Sequence, residues 1–483
     1  MSQTILNLEE AQDLEARASH RIGEDALMRR AGAFAAEEIA RRAPGRAITV
    51  LAGPGNNGGD ALCCARLLKE KGFAVTVVSP APQTSELART MRDEWLAAGG
   101  EVIEDPYQSP KADLVVDGLF GTGLDRPIKD PFLDAVLWFS ERQAYKVALD
   151  IPTGLNAETG HWAGNMPGCR ADLTITFLSH KAGLYMNEGV EAAGEVVLSE
   201  LDISVPLTRL GLIDESDYEH VLKPRTKYSH KGTFGHLAVV GGDAGRIGAA
   251  LLAARAGLRI GAGTVTVELL AENALSVDPL QPELMFAQTP LDFEQFTAVV
   301  IGPGLGTSEK AKARLEAALA STKSLVIDAD ALNIIAADKR FLELLLHRTA
   351  ATVITPHEVE GARLLRVEPA TINANRVDAV RDIALQTGAT TVLKGPGTLV
   401  AMRSSRTWLS PAADASLATA GSGDVLAGMI GALLAQRYDT IEAVLAAVSL
   451  HGAAPQGRLA GVVASDIAAA AAALLDEARR KAS

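Results

Sequence analysis

The chain has 483 residues, of which 48% are apolar and 22% are charged, and its formal net charge is −13. This length is typical of two or three domains, and the acidic balance argues against nucleic acid as a partner because phosphate backbones select basic surfaces. The start, MSQTILNLEEAQDLEAR, is polar, and no stretch of about 20 residues is free of charge. We therefore expect a cytoplasmic protein with no membrane partner, in which Cys63, Cys64 and Cys169 are buried and reduced.

The first half of the chain alternates helical and extended segments. Apolar residues at helical spacing predict one helix over residues 8–42. Continuous apolar strands that alternate with helices are typical of a parallel sheet covered on both faces, so this half is predicted to be an α/β domain. Short apolar runs bounded by Gly, Pro, Asp or Ser predict its strands at 47–53, 74–79, 113–118, 146–150 and 173–178.

A second α/β domain is predicted after residues 200–232, which have no clear period. We place the boundary at about residue 211, which divides the chain into 1–211 and 212–483. No motif recurs at a fixed offset, so the two domains are not a repeat. The strands of the second domain are predicted at 236–242, 263–269, 298–304, 324–330, 351–357 and 390–395.

A glycine-rich loop, GPGNNGGD at 53–60, follows a strand and opens a helix. Its glycines fit a dinucleotide fingerprint, but the next strand ends at Ser79 instead of the acidic residue that this fingerprint needs. The polar residues of the loop are either turn formers or ligand contacts, and we favour contacts because other strands of the sheet also end in polar groups. The oxygens of Asn57, Asp117 and Thr153 suit an alkali or alkaline-earth cation.

Three segments in this order, GPGNNGGD, DGLFGTGL and ALDIPTG, resemble the NAD(P)H-hydrate epimerase domain over most of residues 1–205. The resemblance implies a Rossmann-like three-layer α/β/α fold that binds a hydrated nicotinamide nucleotide. It implies potassium ligands at Asn57, Asp117 and Thr153. It implies substrate contacts at Asn56, Asn57, Gly58, Gly59, Asp60, Gly121, Thr122, Gly123, Leu124, Asp125, Arg126, Pro127 and Asp150.

Epimerisation inverts the C6 carbon of the hydrate, which carries a hydroxyl beside the ring nitrogen. Ring opening, or loss and return of the hydroxyl, needs one acid–base group at the ring, and we predict that Asp150 is this group. Lys181, in TFLSHKAGL, is a further catalytic candidate, with a surface lysine beside a turn as the alternative. Where the family often has Gly and Ser, this chain has Ala61 and Thr153, and the threonine keeps the hydroxyl.

A second glycine-rich loop, ATAGSGDVLAG at 418–428, precedes a helix predicted to start near Asp424. Free N–H groups and the helix dipole at such a start bind anions, and Gly421 and Gly423 allow close approach of a phosphoryl group. Asp424 is predicted to be the general base that takes a proton from a substrate hydroxyl. The alternative is that Asp424 only caps the helix.

Six segments of the second half resemble the ADP-dependent NAD(P)H-hydrate dehydratase domain, over about 220–483. In chain order they are KGTFGHLAVVGG, GPGLG, DADALN, TPH, LKG and GSGD. The resemblance implies a ribokinase-like α/β/α fold. It implies contacts with the adenine nucleotide at Lys394, Gly395, Pro396, Gly397, Thr398 and Gly423. It implies contacts with the hydrate at Gly304, His357 and Asp424.

Two departures from the family pattern lie near this second site. The family usually reads TPHPGE where this chain reads TPHEVE, and the segment before GSGD lacks the usual Gly-Asn. His357 is therefore either a substrate contact or a structural residue. His451, in SLHGAA, is interpreted as a core histidine with satisfied hydrogen bonds.

Together the resemblances predict a bifunctional enzyme that repairs NADHX and NADPHX, the hydrates of NADH and NADPH. It epimerises the R and S forms and dehydrates the S form with ADP, which yields AMP and phosphate, with Mg2+ offsetting the phosphate charge. A homo-oligomer is expected from the resemblance alone. Two alternatives remain, a vitamin or sugar kinase that shares the loop chemistry and a nucleotide-binding sensor with two degenerate sites.

Overall fold

The structure, a computed structural model, describes residues 3–164, 166–272, 274–403, 406–412, 414–455 and 461–482. The chain forms two compact units, Thr4–Thr208 and a unit from Arg209 onward. The boundary predicted at 211 falls within a short strand, Leu210–Leu212, which pairs with Thr407–Leu409 in the second unit. None of the helices that the structure describes is both long and apolar enough to span a membrane.

The first unit contains a parallel sheet, as predicted. Its central strand, Ala47–Ala52, pairs with Ala74–Val78 on one side and Leu114–Gly118 on the other. The strand order therefore reverses beside Ala47–Ala52, and open α/β sheets bind ligands at such a switch point. In spatial order the strands are Val102–Ile103, Ala74–Val78, Ala47–Ala52, Leu114–Gly118, Tyr145–Leu149, Leu173–Phe177 and Glu195–Ser199.

The prediction of one helix over residues 8–42 is wrong, because the segment forms two helices, Leu8–Ile22 and Glu24–Arg42. Gly23 separates them with φ at 89°, a left-handed conformation that glycine adopts without steric cost. The N–H of Gly23 donates to Ser19 O at 2.8 Å and ends the first helix.

The three cysteines of the first unit are free and buried, which confirms that expectation. Two of them lie on the helix Asn56–Glu70, which packs between the sheet and the helix Glu24–Arg42. The other segments of this unit are the strand Thr4–Ile5, the helices Glu86–Ala97, Phe132–Glu141 and Gly189–Ala192, and the 3-10 turns Pro106–Gln108 and Ala182–Leu184.

The second unit has a mostly parallel sheet with antiparallel strands towards one edge. All six predicted strands are present, whereas the short strands after residue 398 were not predicted. Thr390–Leu393 pairs antiparallel with Leu399–Ala401, which pairs antiparallel with Thr407–Leu409. In spatial order the strands are Leu210–Leu212, Thr407–Leu409, Leu399–Ala401, Thr390–Leu393, Thr352–Ile354, Ser324–Ile327, Ala298–Ile301, His236–Gly241, Thr264–Leu269 and Met285–Phe286.

The helix Ser422–Ala435 is almost completely buried and packs against Ile247–Ile260. Gly428 permits this contact, since a Cβ there would lie 2.0 Å from Ala253 O. Both units are therefore α/β, as predicted. The other helices are Glu219–Leu222, Glu309–Ala320, Asp330–Ala337, Lys339–Leu346, Glu358–Leu365, Pro369–Ala374, Arg376–Thr387, Thr440–Ala453 and Ala464–Lys481, with 3-10 turns at Glu215–Tyr218, Lys231–Phe234, Phe293–Gln295 and Ala415–Leu417.

Candidate active sites

The first unit has a cavity of about 620 Å³ where the central strands end. Loops that follow the strands form one wall, and the helix Leu8–Ile22 forms another with Gln12, Glu15 and Ser19. The sequence motifs did not indicate this second wall, because polar residues on one face of a helix are typical of a solvated surface.

Asp150 and Lys181 form an ion pair in this cavity, with 2.6 Å between Nζ and Oδ1. The ammonium group also donates to Thr176 Oγ1 and Phe177 O, both at 2.8 Å. The side chain of Lys181 is 8% exposed, so its interpretation as a surface lysine is wrong. Asp150 has φ at 65°, and non-glycine residues in this region cluster at functional sites.

Asp117 and Thr153 contact each other and are both fully buried. Thr153 donates to the two Asp117 oxygens, from Oγ1 at 2.7 Å and from N–H at 2.8 Å. The backbone of Asn57 lies close to the end of the strand that carries Asp117, since a Cβ on Gly118 would be 3.3 Å from Asn57 O. Both polar atoms of its amide are buried without a hydrogen-bond partner among the described residues.

Burial raises the pKa of Asp117 above its ordinary value, and a bound cation favours the ionised carboxylate. The unpartnered amide oxygen of Asn57, the Asp117 carboxylate and the Thr153 hydroxyl are all hard oxygen ligands. The residues at this position therefore fit a potassium ion.

Carboxyl groups crowd the same cavity. Burial raises the pKa of Asp60 well above its usual value, and the charges of Asp150 and Glu15 add to the effect. Burial raises the pKa of Glu15 as well, and the charge of Asp150 is the next largest cause of this increase. The cavity thus places Asp60, a carboxyl group with a raised pKa, together with Asp150, a carboxylate in an ion pair.

The residues predicted to contact the first substrate fall into two groups. Asp125, Arg126 and Pro127 are exposed and lie outside the cavity wall. Gly58 and Gly59 are buried in the helix Asn56–Glu70, where they permit close packing. The residues that do line the cavity are Asn56, Asn57, Asp60, Gly121, Thr122, Gly123, Leu124 and Asp150.

The second glycine-rich loop leads into the helix Ser422–Ala435, as predicted. Gly421 occupies the N-cap position with φ at 89° and no side-chain cap. Asp424 is the third residue of the helix, so the interpretation of Asp424 as an N-cap is wrong. The N–H groups of Gly423 and Asp424 have no backbone acceptor in the part of the chain that the structure describes, so they are available to an anion.

A lysine and two aspartates converge at this loop. Lys394 Nζ donates to Asp328 Oδ1 at 2.7 Å and lies 3.1 Å from the position that a Cβ on Gly423 would occupy. Burial and then the charge of Asp328 raise the pKa of Asp424, Lys394 opposes both, and the net pKa is about 7. A carboxyl group with this pKa can accept a proton at neutral pH, as a general base must.

Gly304 lies in a loop that is tied to two neighbouring segments. Asp243 N donates to Gly304 O at 2.7 Å. Asp330, in the DADALN segment, accepts from Arg246 and from Gly306 N, both at 2.9 Å. The contacts bring three separate motifs to one edge of the sheet.

His357 caps the helix Glu358–Leu365. Its Nδ1 accepts from Val359 N at 3.1 Å and from Glu360 N at 3.4 Å, while His357 N donates to the Glu360 carboxylate at 2.9 Å. TPHEVE therefore forms a capping box without the Pro-Gly turn of the family pattern. Burial and the charge of Lys394 lower the pKa of His357, and Nε2 carries the proton because Nδ1 is an acceptor.

His451 is buried and satisfied, as the sequence indicated, but its partner belongs to the second site. Its Nε2 lies 3.0 Å from Ser422 O and 3.1 Å from Ser422 Oγ. A carbonyl oxygen only accepts, so Nε2 is the protonated nitrogen. Burial lowers the pKa of His451 to about 4. The neutral ring therefore holds Ser422, between Gly421 and Gly423, through these two contacts.

Two family models match this chain, one for each unit. The model described as YjeF-related protein N-terminus matches residues 24–183, and the model described as NAD(P)H-hydrate dehydratase matches residues 237–473. Among solved structures, an ADP/ATP-dependent NAD(P)H-hydrate dehydratase from Bacillus subtilis, co-crystallised with ATP and magnesium, is 26% identical. It covers 55% of this chain and 97% of its own, with a TM-score of 0.46.

Some relatives match this chain across both units, and they cover more of it than the dehydratase structure does. A bifunctional NAD(P)H-hydrate repair enzyme of Coxiella burnetii is 35% identical, over 92% of this chain and 94% of its own. The corresponding enzyme of Escherichia coli is 38% identical, over 89% of this chain and 84% of its own. Since these relatives match both units along nearly their whole length, the chain belongs to the family of bifunctional NAD(P)H-hydrate repair enzymes.

Proposed function

We propose that this chain epimerises the R and S hydrates of NADH and NADPH in its first unit and dehydrates the S form with ADP in its second. The observation that carries the proposal is that each unit places a half-buried aspartate at a predicted motif. Asp150 lines the cavity of the first unit, and Asp424 lies in the first turn of the helix Ser422–Ala435 in the second. Conversion of the R form into the S form lets one chain clear both epimers.

In the first unit, Asp150 is the acid–base group at C6 of the hydrate. Lys181 fixes its carboxylate in the cavity, and the cavity walls exclude bulk water from the opened or dehydrated ring. Asn57, Asp117 and Thr153 would hold potassium, which supplies positive charge near the bound nucleotide. Asn56, Asp60 and Gly121–Leu124 contact the rest of the substrate.

In the second unit, Asp424 takes the proton of the C6 hydroxyl while that oxygen attacks the β-phosphorus of ADP. The bond from this phosphorus to the bridging oxygen breaks, and AMP leaves. The ring nitrogen lone pair then expels phosphate from C6, and loss of the C5 proton restores the dihydronicotinamide. The N–H groups at the start of the helix Ser422–Ala435 stabilise the negative charge of the phosphoryl group during its transfer.

Magnesium would enter this site mainly with the nucleotide. No cluster of three His, Cys, Asp or Glu side chains able to hold a metal occurs among the described residues, and Mg2+ commonly binds through substrate phosphates with one or two carboxylates. Asp328 and Asp424 are the nearby carboxylates, and the ion supplies charge neutralisation for the phosphates. We also propose that the enzyme works in the cytoplasm as a homo-oligomer.

The test is incubation of the purified chain with mixed R and S NADPH hydrate and ADP, followed by the absorbance of reduced nicotinamide. Full recovery of NADPH with an equal amount of AMP is the expected result. Recovery that stops at the S fraction would refute the epimerase assignment. No recovery with either ADP or ATP would refute the dehydratase assignment and favour a kinase of a stable alcohol.

A further inference from the structure

A buried arginine lies behind the segment Lys394–Thr398, here termed the nucleotide loop. Arg376 opens the helix Arg376–Thr387 and is 4% exposed. Its Nη2 donates to Gly397 O at 3.1 Å and approaches Lys394 O at 3.4 Å. The same nitrogen lies 3.5 Å from Leu393 O, so one guanidinium group contacts both ends of the loop.

The backbone of the nucleotide loop is shaped around this guanidinium. Gly395 and Gly397 have φ at 144° and 73°, in the region that favours glycine. A Cβ on Gly395 would lie 2.4 Å from Arg376 Nη1, so the arginine occupies the space that a side chain would need.

The contacts use carbonyl groups of the loop and leave the N–H groups of its two glycines free, while Lys394 N donates to Pro356 O at 2.9 Å. Among the described residues, the N–H groups of Gly395 and Gly397 have no backbone acceptor. Unpaired N–H groups in turns of this kind form anion-binding concavities. A loop whose carbonyls are held from behind therefore presents its donors on the other side.

The charge of Arg376 has no direct counter-charge in the described part of the chain. Its Nε is buried without a hydrogen-bond partner, and Glu358 acts on it only at longer range. Burial lowers the pKa of Arg376 to about 10, so the group stays charged at neutral pH. An unpaired buried cation is unfavourable, and a bound anion would offset that cost.

We propose, on the basis of the dehydratase function proposed above, that Arg376 is a positioning residue for the nucleotide. It holds the carbonyl groups of the nucleotide loop so that the loop N–H groups face the phosphates of ADP. Its charge attracts those phosphates from behind the loop.

The test compares Arg376→Met and Arg376→Lys with a matched control, Arg381→Met. Arg381 lies on the same helix but binds Thr407 and Asp378, away from the nucleotide loop. The measurements are the Kd for ADP by titration calorimetry without hydrate, and KM for ADP and kcat in dehydration. Epimerase activity of each variant is recorded on the same chain.

We expect Arg376→Met to raise the Kd and KM for ADP about tenfold or more, because hydrogen bonds from charged groups and their charge are lost. The kcat at saturating ADP should fall much less, Arg376→Lys should be intermediate, and Arg381→Met should match the parent. An unchanged Kd in Arg376→Met, or an equal loss in Arg381→Met, would overturn the inference. If Arg376→Met does not fold, an unchanged Kd in Arg376→Lys overturns it. A parent chain that does not dehydrate with ADP would instead refute the proposed function.

Discussion

In the first unit a lysine contacts the aspartate that we propose as the acid–base group, whereas in the second unit the lysine contacts an aspartate other than the proposed base. Lys181 lies 2.6 Å from Asp150. Lys394 lies 2.7 Å from Asp328 and acts on Asp424 only through space. The two sites therefore use the same pair of residue types to produce different electrostatic environments.

The difference follows from what each carboxylate must do. The ammonium group of Lys181 holds the Asp150 carboxylate in one orientation, as the proposed acid–base role at a single ring carbon requires. Asp424 has its pKa raised to about 7, which suits a base that must take a hydroxyl proton and then release it. The position of the lysine relative to the aspartate therefore distinguishes the two proposed sites.

The largest expected effect is that of Asp424→Ala. We expect dehydration to fall about a thousandfold or more, since a neutral alcohol attacks phosphorus poorly without a base. Epimerisation should be unaffected, because Asp424 is in the other unit. Recovery of NADPH from pure S hydrate measures the first reaction, and interconversion of purified epimers measures the second. Retained dehydration would show that Asp424 is not the base.

The reciprocal variant is Asp150→Asn. We expect epimerisation to fall about a hundredfold, because the amide keeps the shape of the carboxylate but cannot carry a proton between faces of the ring. Dehydration of the S hydrate should continue at the parent rate. With a mixture of epimers, recovery of NADPH would then stop at the S fraction. Epimerisation at the parent rate would contradict the role of Asp150.

The sequence was sufficient for the strands and loops that carry both aspartates. Apolar runs bounded by Gly or Pro marked the strands, and a glycine-rich turn before a helix marked each site, since both signals lie within a few neighbouring residues. Asp150 and Asp424 were placed correctly at their loops for the same reason. Their catalytic roles remain predictions.

The sequence was insufficient where a contact joins distant residues. The burial of Lys181 depends on Asp150, which is 31 positions away, and the link of His451 to Ser422 spans 29. The break at Gly23 was missed because the apolar period continues on both sides of it. Periodicity indicates which face of a helix is buried, but it does not indicate a local break in the helical backbone.

A smaller effect is expected from Lys181→Met, which tests the direct contact. Removal of one partner of a buried pair leaves an unpaired charge, so we expect the first unit to lose about 3 kcal/mol of stability and epimerisation to slow. Urea unfolding, followed by the fluorescence of the buried Trp95 and Trp138, measures the loss. The control is Lys71→Met, whose pair with Glu37 is exposed and should contribute under about 1 kcal/mol.

The double variant Lys181→Met with Asp150→Asn sharpens this prediction. It should recover part of the lost stability, since no buried charge remains unpaired, but it should not recover epimerisation. Equal stability losses in Lys181→Met and Lys71→Met would contradict the buried ion pair.

The smallest expected effect is a pH shift in the second unit. The value of kcat/KM for dehydration should fall as the pH drops below about 7, because Asp424 becomes protonated. Asp328→Asn removes a negative charge that raises the pKa of Asp424 and leaves Lys394 without its partner, and both changes favour the carboxylate. The pH below which kcat/KM falls should therefore be lower in this variant, even if its maximal rate is also lower. If kcat/KM of Asp328→Asn still falls below about pH 7, Asp328 does not raise the pKa of Asp424.

Stability has the opposite pH dependence from activity at Asp424. The raised pKa means that the folded second unit binds a proton between the pKa of an unfolded aspartate, about 3.9, and about 7. Stability contributed by this group is therefore full at low pH and declines as the pH rises towards 7. Asp424→Asn should flatten that decline and raise the unfolding temperature of the second unit at pH 8 while dehydration is lost. A variant that is less stable than the parent at pH 8 would mean that Lys394 already compensates the charge of Asp424, and the contrast between the two lysines would disappear.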